Sequence, residues 1–433
     1  MTAPHNIILM ICHDLGRHLG CFGVKGIDTP NIDEFARDGI LFDNYFCTAA
    51  QCSPSRGSII TGQLPHNNGL MGLAHLGWEL HEEVMTLPKY LDEHGYDTHL
   101  FGLQHETANG GEKELGYRHI GAGGSASKVA EAVSDFIIKR QAPNPFFASV
   151  GFWEPHRPYD SPEYTPDPPN DVDVPPYLPD TPGVRLEISQ LQGMVRAMDE
   201  AVGQILKALD EAGKQDSTLV IFTTDHGIAM PRAKGTLYDP GIGTALIMQG
   251  PDLPQGVVES SLLSNVDLLP TILEYGGLPP LDDIDGYSFL PLLKGKPYHR
   301  REHIFVEMTW HDRYNPMRGI RTDRYKYLRN FGKRPLVYIP ADIYDSPSGK
   351  AVREEYYKTV RPVEELYDLK SDPKELHNII DEPKYQDIAK SLQSRLTDWL
   401  EQTNDPLLKG PISGKNEPAA DYWHVVDNNS PFE

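Results

Sequence analysis

The stretch Gln51-Cys52-Ser53-Pro54-Ser55-Arg56-Gly57 packs a thiol, two hydroxyls, a proline and an arginine into one short turn. Ser58-Ile59-Ile60-Thr61-Gly62 follows, so the segment reads as a helix opened by Pro54 and closed by Gly62. Such a helix turns free N–H groups and the positive end of its dipole toward residue 52, which makes that position a seat for an anion beside a nucleophile. A helix N-terminus and a nearby arginine both favour a thiolate there, and an ordinary buried cysteine also fits so short a pattern.

Upstream, the apolar run Asn6 to Ile11 reads as a first strand, and it delivers Cys12-His13-Asp14-Leu15-Gly16 at its carboxyl end. In open parallel sheets that edge is where ligands bind. Thr29 to Gly39 has the capping residues of a short helix, and Ile40 to Phe46 alternates as a strand leading to the Cys52 turn. The nucleophile candidate therefore follows a strand and opens a helix.

Downstream, Thr86 to Gly95 reads as an amphipathic helix and Asp97 to Phe101 as a strand ending in Gly102-Leu103-Gln104-His105. A helix over Ser125 to Arg140 precedes strand Phe146 to Phe152, which delivers Glu154-Pro155-His156-Arg157-Pro158. A histidine between two prolines has restricted backbone freedom, which suits a substrate-facing acid and equally suits a structural turn. Pro158 to Pro182 has no period and reads as an irregular surface loop, placed to act as a lid or rim. The helix Leu186 to Gly213 carries Met194, Met198, Val202, Ile205 and Leu209 along one face, a core stripe. Strand Thr218 to Thr223 ends in Thr224-Asp225-His226-Gly227, followed by Pro231-Arg232-Ala233-Lys234-Gly235-Thr236-Leu237-Tyr238. Asn265 to Ile272 opens a further helix. Beyond residue 300, His303 to Met308, Met317 to Arg321 and Arg324 to Arg329 alternate as an antiparallel sheet, with a final helix over Tyr385 to Gln402. The tail after Lys409 is polar, with Tyr422-Trp423 expected to dock.

The Cys52-x-Pro54-Ser55-Arg56 pattern resembles the signature of type I sulfatases, and the other strand-end motifs resemble that family in the same order over residues 6 to 405. The wording Asp225-His226-Gly227 with Pro231-Arg232-x-Lys234, and Asn315-Pro316-Met317-Arg318 with Glu364 to Leu369, is similar to the sulfamidase-like (heparan N-sulfatase-like) branch. The resemblance implies an alkaline phosphatase-like α/β fold: a large mostly parallel sheet flanked by helices over residues 1–300, then a smaller C-terminal antiparallel sheet and helix over 301–433. It also implies that Cys52 is oxidised by a maturation enzyme to formylglycine, whose hydrate is the nucleophile. His105 then matches the histidine that works on that hydrate. Arg56 and Lys234 neutralise sulfate oxygens, and His156 or Lys234 protonates the leaving atom. Asp14 and Asp225, with His13, His226 and residue 52, are the candidate ligands of one divalent metal ion. The family ion is calcium, whereas two imidazoles in place of oxygens favour manganese or zinc. Arg232, His75 and Arg318 are candidate substrate contacts. The chain departs from the family at His13, where an aspartate is usual, and at Leu103, where a sulfate-binding lysine is usual.

With 433 residues there is ample length for a large core, and the formal net charge of -22 disfavours nucleic acid and anionic membrane as partners while allowing a small sulfated anion in a local positive pocket. No run approaches the roughly 18 apolar residues of a membrane span. The opening strand is too short and lacks the basic flank of a signal peptide, and four cysteines make no disulfide framework, so a cytoplasmic location is expected. The expected activity is hydrolysis of a sulfuric ester or sulfamate, with a sulfated sugar as substrate. A phosphodiesterase or phosphonate monoester hydrolase of the same superfamily, or a catalytically silent binding homologue, is the alternative.

Overall fold

Asn6–Cys12 is the central strand β1 of a large sheet, and its unbroken apolar run has a simple cause: both faces are covered. Ile7, Leu9 and Ile11 enter one core, and Ile8, Met10 and Cys12 enter the other. The computed structural model describes residues 5–108 and 110–415; Tyr422 and Trp423 lie outside them.

In chain order, the strands after β1 are β2 (Ile40–Phe42), β3 (Tyr45–Phe46), β4 (Asp97–Gly102), β5 (His119–Ile120), β6 (Phe146–Gly151) and β7 (Thr218–Thr224). Then come β8 (Leu246–Gln249), β9 (Val257–Glu259), β10 (Leu263–Ser264), β11 (His303–Trp310), β12 (Tyr314–Thr322), β13 (Tyr325–Asn330) and β14 (Glu364–Asp368). The large sheet has the order β5-β4-β6-β1-β7-β8-β2-β9. Its centre is parallel, and the sheet turns antiparallel only where β8 pairs with β7 and β2. The expected strand over Ile40 to Phe46 is two strands. Asp43 and Asn44 break it, as turn-forming side chains do, so β2 stays in the large sheet while β3 pairs with β10.

Helices Ala126–Lys139 and Pro182–Glu211 pack on the face that Ile8 and Met10 enter, and the Met194, Met198, Val202, Ile205, Leu209 stripe is buried there as expected. Leu87–Glu93 and Leu268–Tyr275 cover the other face. The smaller sheet, β11-β12-β13-β14, is antiparallel throughout and is backed by helix Gln386–Gln402 through Leu392, Leu396 and Trp399.

The stretch from Pro158 to Pro182 is irregular as expected, but it is not a free lid. Tyr159, Val172 and Leu178 are buried in the main core, and Arg185 donates to the carbonyls of Pro169, Asn170 and Val172. Its proline-rich backbone is latched to the following helix. Among the described residues no helix is long and apolar enough to cross a membrane.

Candidate active site

The carboxyl ends of β1 and β7 lie side by side, so the loops that follow them meet. Gly16 has φ +57°, and a Cβ there would stand 2.9 Å from Gly227 Cα, so only glycine allows this approach. The close contact brings the pair His13-Asp14 against the pair Asp225-His226. Asp14 lies at φ 52°, a region aspartate tolerates better than most residues. Its N–H donates to Asp225 Oδ1 at 2.9 Å, and the His226 N–H donates to the same oxygen at 2.8 Å.

Cys52 is the first residue of helix Cys52–Thr61, every residue of which is buried. Gly62 ends that helix at φ 67°. Asn265 braces it by donating to the Ser55 carbonyl at 3.1 Å while accepting from the Thr48 N–H at 3.1 Å. Cys52 Sγ lies 3.4 Å from His226 Nε2, 3.9 Å from Asp14 Oδ1 and 4.0 Å from His13 Nδ1. One helical turn on, Arg56 Nε donates to Asp225 Oδ2 at 3.0 Å, an ion pair with 1% and 0% side-chain exposure.

Lys234 Nζ lies 2.7 Å from Asp14 Oδ2 and 2.8 Å from Asp342 Oδ2. His156 presents Nε2 to Asp14 Oδ2 at 3.8 Å, because its Nδ1 is tied to the Arg157 carbonyl at 2.7 Å. His105 Nδ1 lies 3.4 Å from His13 Nε2, and its ring stacks on His75 with centroids 5.5 Å apart. Trp153 lies against both His13 and His156.

The electrostatics follow from this crowding of unlike charges. Burial opposes ionisation of the Cys52 thiol, but Lys234, His13 and His226 outweigh it and hold its pKa well below the usual thiol value. Burial would likewise raise the Asp14 carboxyl, yet Lys234 and the surrounding imidazoles hold it well below the carboxylate range. Burial disfavours a charged His13, while Cys52, Asp225 and Asp14 raise it to about 9. Burial wins at His156, which falls to about 4 against the pull of Asp14.

Donor atoms of His13, Asp14, Cys52, Asp225 and His226 all lie within 4.8 Å of one another. The His226 Nδ1 is engaged with the Gly227 carbonyl at 2.9 Å, so Nε2 is the nitrogen left facing Asp14 and Cys52. A backbone partner that fixes the second ring nitrogen is the usual support of a ligating histidine. The carboxylates and imidazoles present therefore fit a divalent ion.

The chain matches the sulfatase family over residues 5–278 and the N-sulphoglucosamine sulphohydrolase C-terminal family over residues 231–348 and 345–402. It belongs to the sulfatase family. Human N-sulphoglucosamine sulphohydrolase is 30% identical over 477 residues, which span 94% of this chain and 92% of the human protein. An ulvan-active sulfatase of Formosa agariphila is 29% identical, over 94% of this chain and 82% of its own. At the level of fold, a protein solved in complex with its substrate D-glucosamine-2-N,6-O-disulfate superimposes with a TM-score of 0.74 at 21% identity, covering 96% of this chain and 100% of that one. The phosphonate monoester hydrolase of Agrobacterium radiobacter superimposes with a TM-score of 0.71 at 21% identity, covering 96% and 99%.

Within this sulfatase-family fold the structure gathers Cys52, Arg56, His105, His156, Lys234, His13, Asp14, Asp225, His226 and His75 around one point. Two expected substrate contacts are held elsewhere. Arg318 has no exposed surface: it pairs with Asp405 at 2.6 Å and donates to the Met308 and Met317 carbonyls, both at 2.9 Å. A guanidinium so fully engaged ties β12 to the chain near Asp405 and has no donor left to offer a sulfate. Arg232 stacks on Tyr238 at 4.2 Å and donates to the Glu375 carbonyl, so it joins the two sheets' connecting segments. Arg318→Ala is accordingly expected to lower unfolding free energy by about 3–5 kcal/mol, because Asp405 and Glu307 lose a buried counter-ion. In the fraction that stays folded, KM should be unchanged. Denaturant unfolding and steady-state kinetics check this, and a stable variant with a KM raised tenfold would return Arg318 to the substrate.

Three residues escaped the sequence reading. Asp342, the partner of Lys234, comes from the short helix Ala341–Tyr344. His311 and Asp312 sit at the tip of the β11–β12 hairpin, with His311 Nδ1 2.6 Å from Asp312 Oδ1. Burial opposes charge on His311, but the Asp312 carboxylate and the Cys52 side chain raise it to about 9. The adjacent His-Asp pair just ahead of Asn315-Pro316 was the available signal.

Proposed function

We propose that this chain releases inorganic sulfate from a small sulfated sugar, cleaving an S–O or S–N bond, with a formylglycine made from Cys52 as its protein-derived cofactor. The observation that carries the reading is the position of Cys52: it heads a buried helix and touches both strand-end pairs, His13-Asp14 and Asp225-His226. The aldehyde hydrate supplies a nucleophile that can be regenerated, and a metal ion lowers the pKa of a coordinated hydroxyl.

This chain's residues do the rest. Asp14, Asp225, His226 and His13 hold the ion with residue 52. Two carboxylates and two imidazoles suit manganese or zinc better than the calcium of the wider family. Arg56 keeps Asp225 ionised and in place, and the helix N-terminus adds partial positive charge. Lys234 stands beside Asp14 with its ammonium available to a sulfate oxygen or the leaving atom. His156 faces the same carboxylate oxygen through Nε2, and the charge of a bound sulfate raises its pKa toward that of a usable acid. His105, braced between His13 and His75, is placed to move a proton at residue 52.

Cys52 is only 2% exposed, so the maturation enzyme must meet this segment before the fold closes. All four cysteines are unpaired in the fold, which supports a reducing, cytoplasmic setting. The names of the relatives support amino-sugar sulfates as first substrates. The test is ion chromatography of sulfate released from glucosamine N-sulfate and glucosamine 6-O-sulfate, beside a matched phosphodiester. Sulfate release at least tenfold faster than phosphodiester cleavage is expected; the reverse order overturns the proposal.

A further inference from the structure

At the opening end of β4, away from the carboxyl strand ends that carry the active site, sheet register gathers a second set of metal-binding side chains. Asp97 and His99 stand two positions apart on β4, so their side chains leave the sheet on the same face. The edge strand β5 runs parallel to β4 with His119 paired to His99. Paired residues of neighbouring strands share a face, and the two imidazole rings stack with centroids 4.5 Å apart. One carboxylate and two imidazoles therefore meet at the edge of the large sheet.

Their donor atoms converge. His99 Nε2 lies 3.0 Å from Asp97 Oδ2, His119 Nε2 lies 2.9 Å from Asp97 Oδ1, and one donor atom from each of the three lies within 4.8 Å of the others. Donors held about 2.0–2.2 Å from a shared ion stand roughly 3.0–3.4 Å apart, so these spacings are close to those an ion would set. His99 is 8% exposed, and its Nε2 is buried with no hydrogen-bond partner among the described residues, because it meets the carboxylate outside hydrogen-bonding angles. A polar atom buried in that way is costly, and an ion seated between ring and carboxylate removes the cost. Burial, with His119 and Arg140, lowers the His99 pKa against the pull of Asp97, which keeps the ring in the neutral form that ligates.

Arg140 does not compete for the whole carboxylate. Its Nη1 donates to Asp97 Oδ2 at 2.7 Å, while the guanidinium lies over Phe136 and Phe146 and donates to the Asn144 carbonyl. Oδ1 is left for an ion with Oδ2 hydrogen-bonded, the common arrangement of a ligating carboxylate. The neighbouring positive charge disfavours calcium, which is held by charged oxygens, whereas imidazole coordination favours zinc or a similar transition ion.

We propose that Asp97, His99 and His119 form a second metal site, distinct from the one at residue 52, that takes zinc or a similar transition ion. The ion would clip the two-residue edge strand β5, both of whose residues are exposed, to β4. Calorimetric titration with zinc chloride of the protein with its active-site ion in place tests it, beside thermal denaturation. Wild type should take up one zinc per chain in addition to the active-site ion, and its denaturation midpoint should rise with zinc. His119→Ala, at an exposed edge position, should weaken that binding by at least about 10- to 100-fold, the loss that follows when a ligand merely loses its outer partner. Its midpoint should no longer respond to zinc, and its rate of sulfate release should match wild type. His119→Gln, which keeps a polar side chain of similar reach without the imidazole, should lose zinc as alanine does, which a purely packing role would not predict. A wild-type protein that takes up no such zinc, or a His119→Ala variant that binds it within twofold of wild type, overturns the proposal and leaves the sulfatase reading untouched.

Discussion

Cys52→Ala is expected to lower kcat by about 10,000-fold or more and to leave the protein folded. The size of the loss follows from the place of the side chain: Sγ is the atom on which His13, Asp14 and His226 converge, and removal of a nucleophile leaves only binding and electrostatic assistance. The small effect on folding follows from the helix around it. Helix Cys52–Thr61 is fixed by Gly62, by Asn265 on Ser55, and by Ser53 Oγ accepting from the Ala74 N–H at 3.0 Å; none of these involves sulfur. Loss of one buried sulfur costs about 1–2 kcal/mol, well within the reserve of a domain this size. Circular dichroism melting and sulfate release on the same preparation check both halves. Turnover within tenfold of wild type would remove Cys52 from the chemistry.

Asp225→Ala has the second large effect, and it strikes stability and metal together. The carboxylate accepts from the backbone N–H groups of Asp14 and His226 and from Arg56 Nε, with His13 Nδ1 3.4 Å away. Alanine leaves the Arg56 guanidinium buried at 1% exposure without its counter-ion, which costs about 3–5 kcal/mol. It also removes one of the two carboxylates in the ligand cluster. The expected result is a lower denaturation midpoint and a loss of bound divalent ion by elemental analysis. Asp225→Asn should be milder in stability, since its amide oxygen can still accept, and as severe in metal content. An alanine variant with wild-type stability and full metal content would contradict the assignment.

The sequence was informative wherever a strand end carried its chemistry in adjacent residues. His13-Asp14 and Asp225-His226 each follow an apolar run, so the rule that ligands gather at the carboxyl ends of parallel strands marked each as a candidate position, and the family resemblance joined them into one ligand set. The end of the helix at Cys52 was legible from Gly62, whereas its start lies at Cys52, ahead of the expected opening at Pro54. What could not be read was assembly across distant segments. Asp342 reaches Lys234 from 108 positions away through the short helix Ala341–Tyr344, and nothing in its neighbours marks it. Arg318 stood in a matching motif, yet its partners Glu307 and Asp405 decide its role, and their proximity is a fact of folding alone. Pro158 to Pro182 is irregular, as its prolines and aspartates suggested, but its composition did not mark the anchoring of Tyr159, Val172 and Leu178 in the core.

The central claim, that Cys52 is converted to the nucleophile of a sulfatase, is tested most directly by fragment-ion mass spectrometry of the tryptic peptide covering residues 38–56 from a preparation that releases sulfate. That peptide holds both Cys47 and Cys52, so the fragments must separate them. The account predicts an aldehyde in place of the thiol at residue 52 and an intact thiol at Cys47. A preparation that releases sulfate while residue 52 is an unmodified cysteine throughout would contradict it.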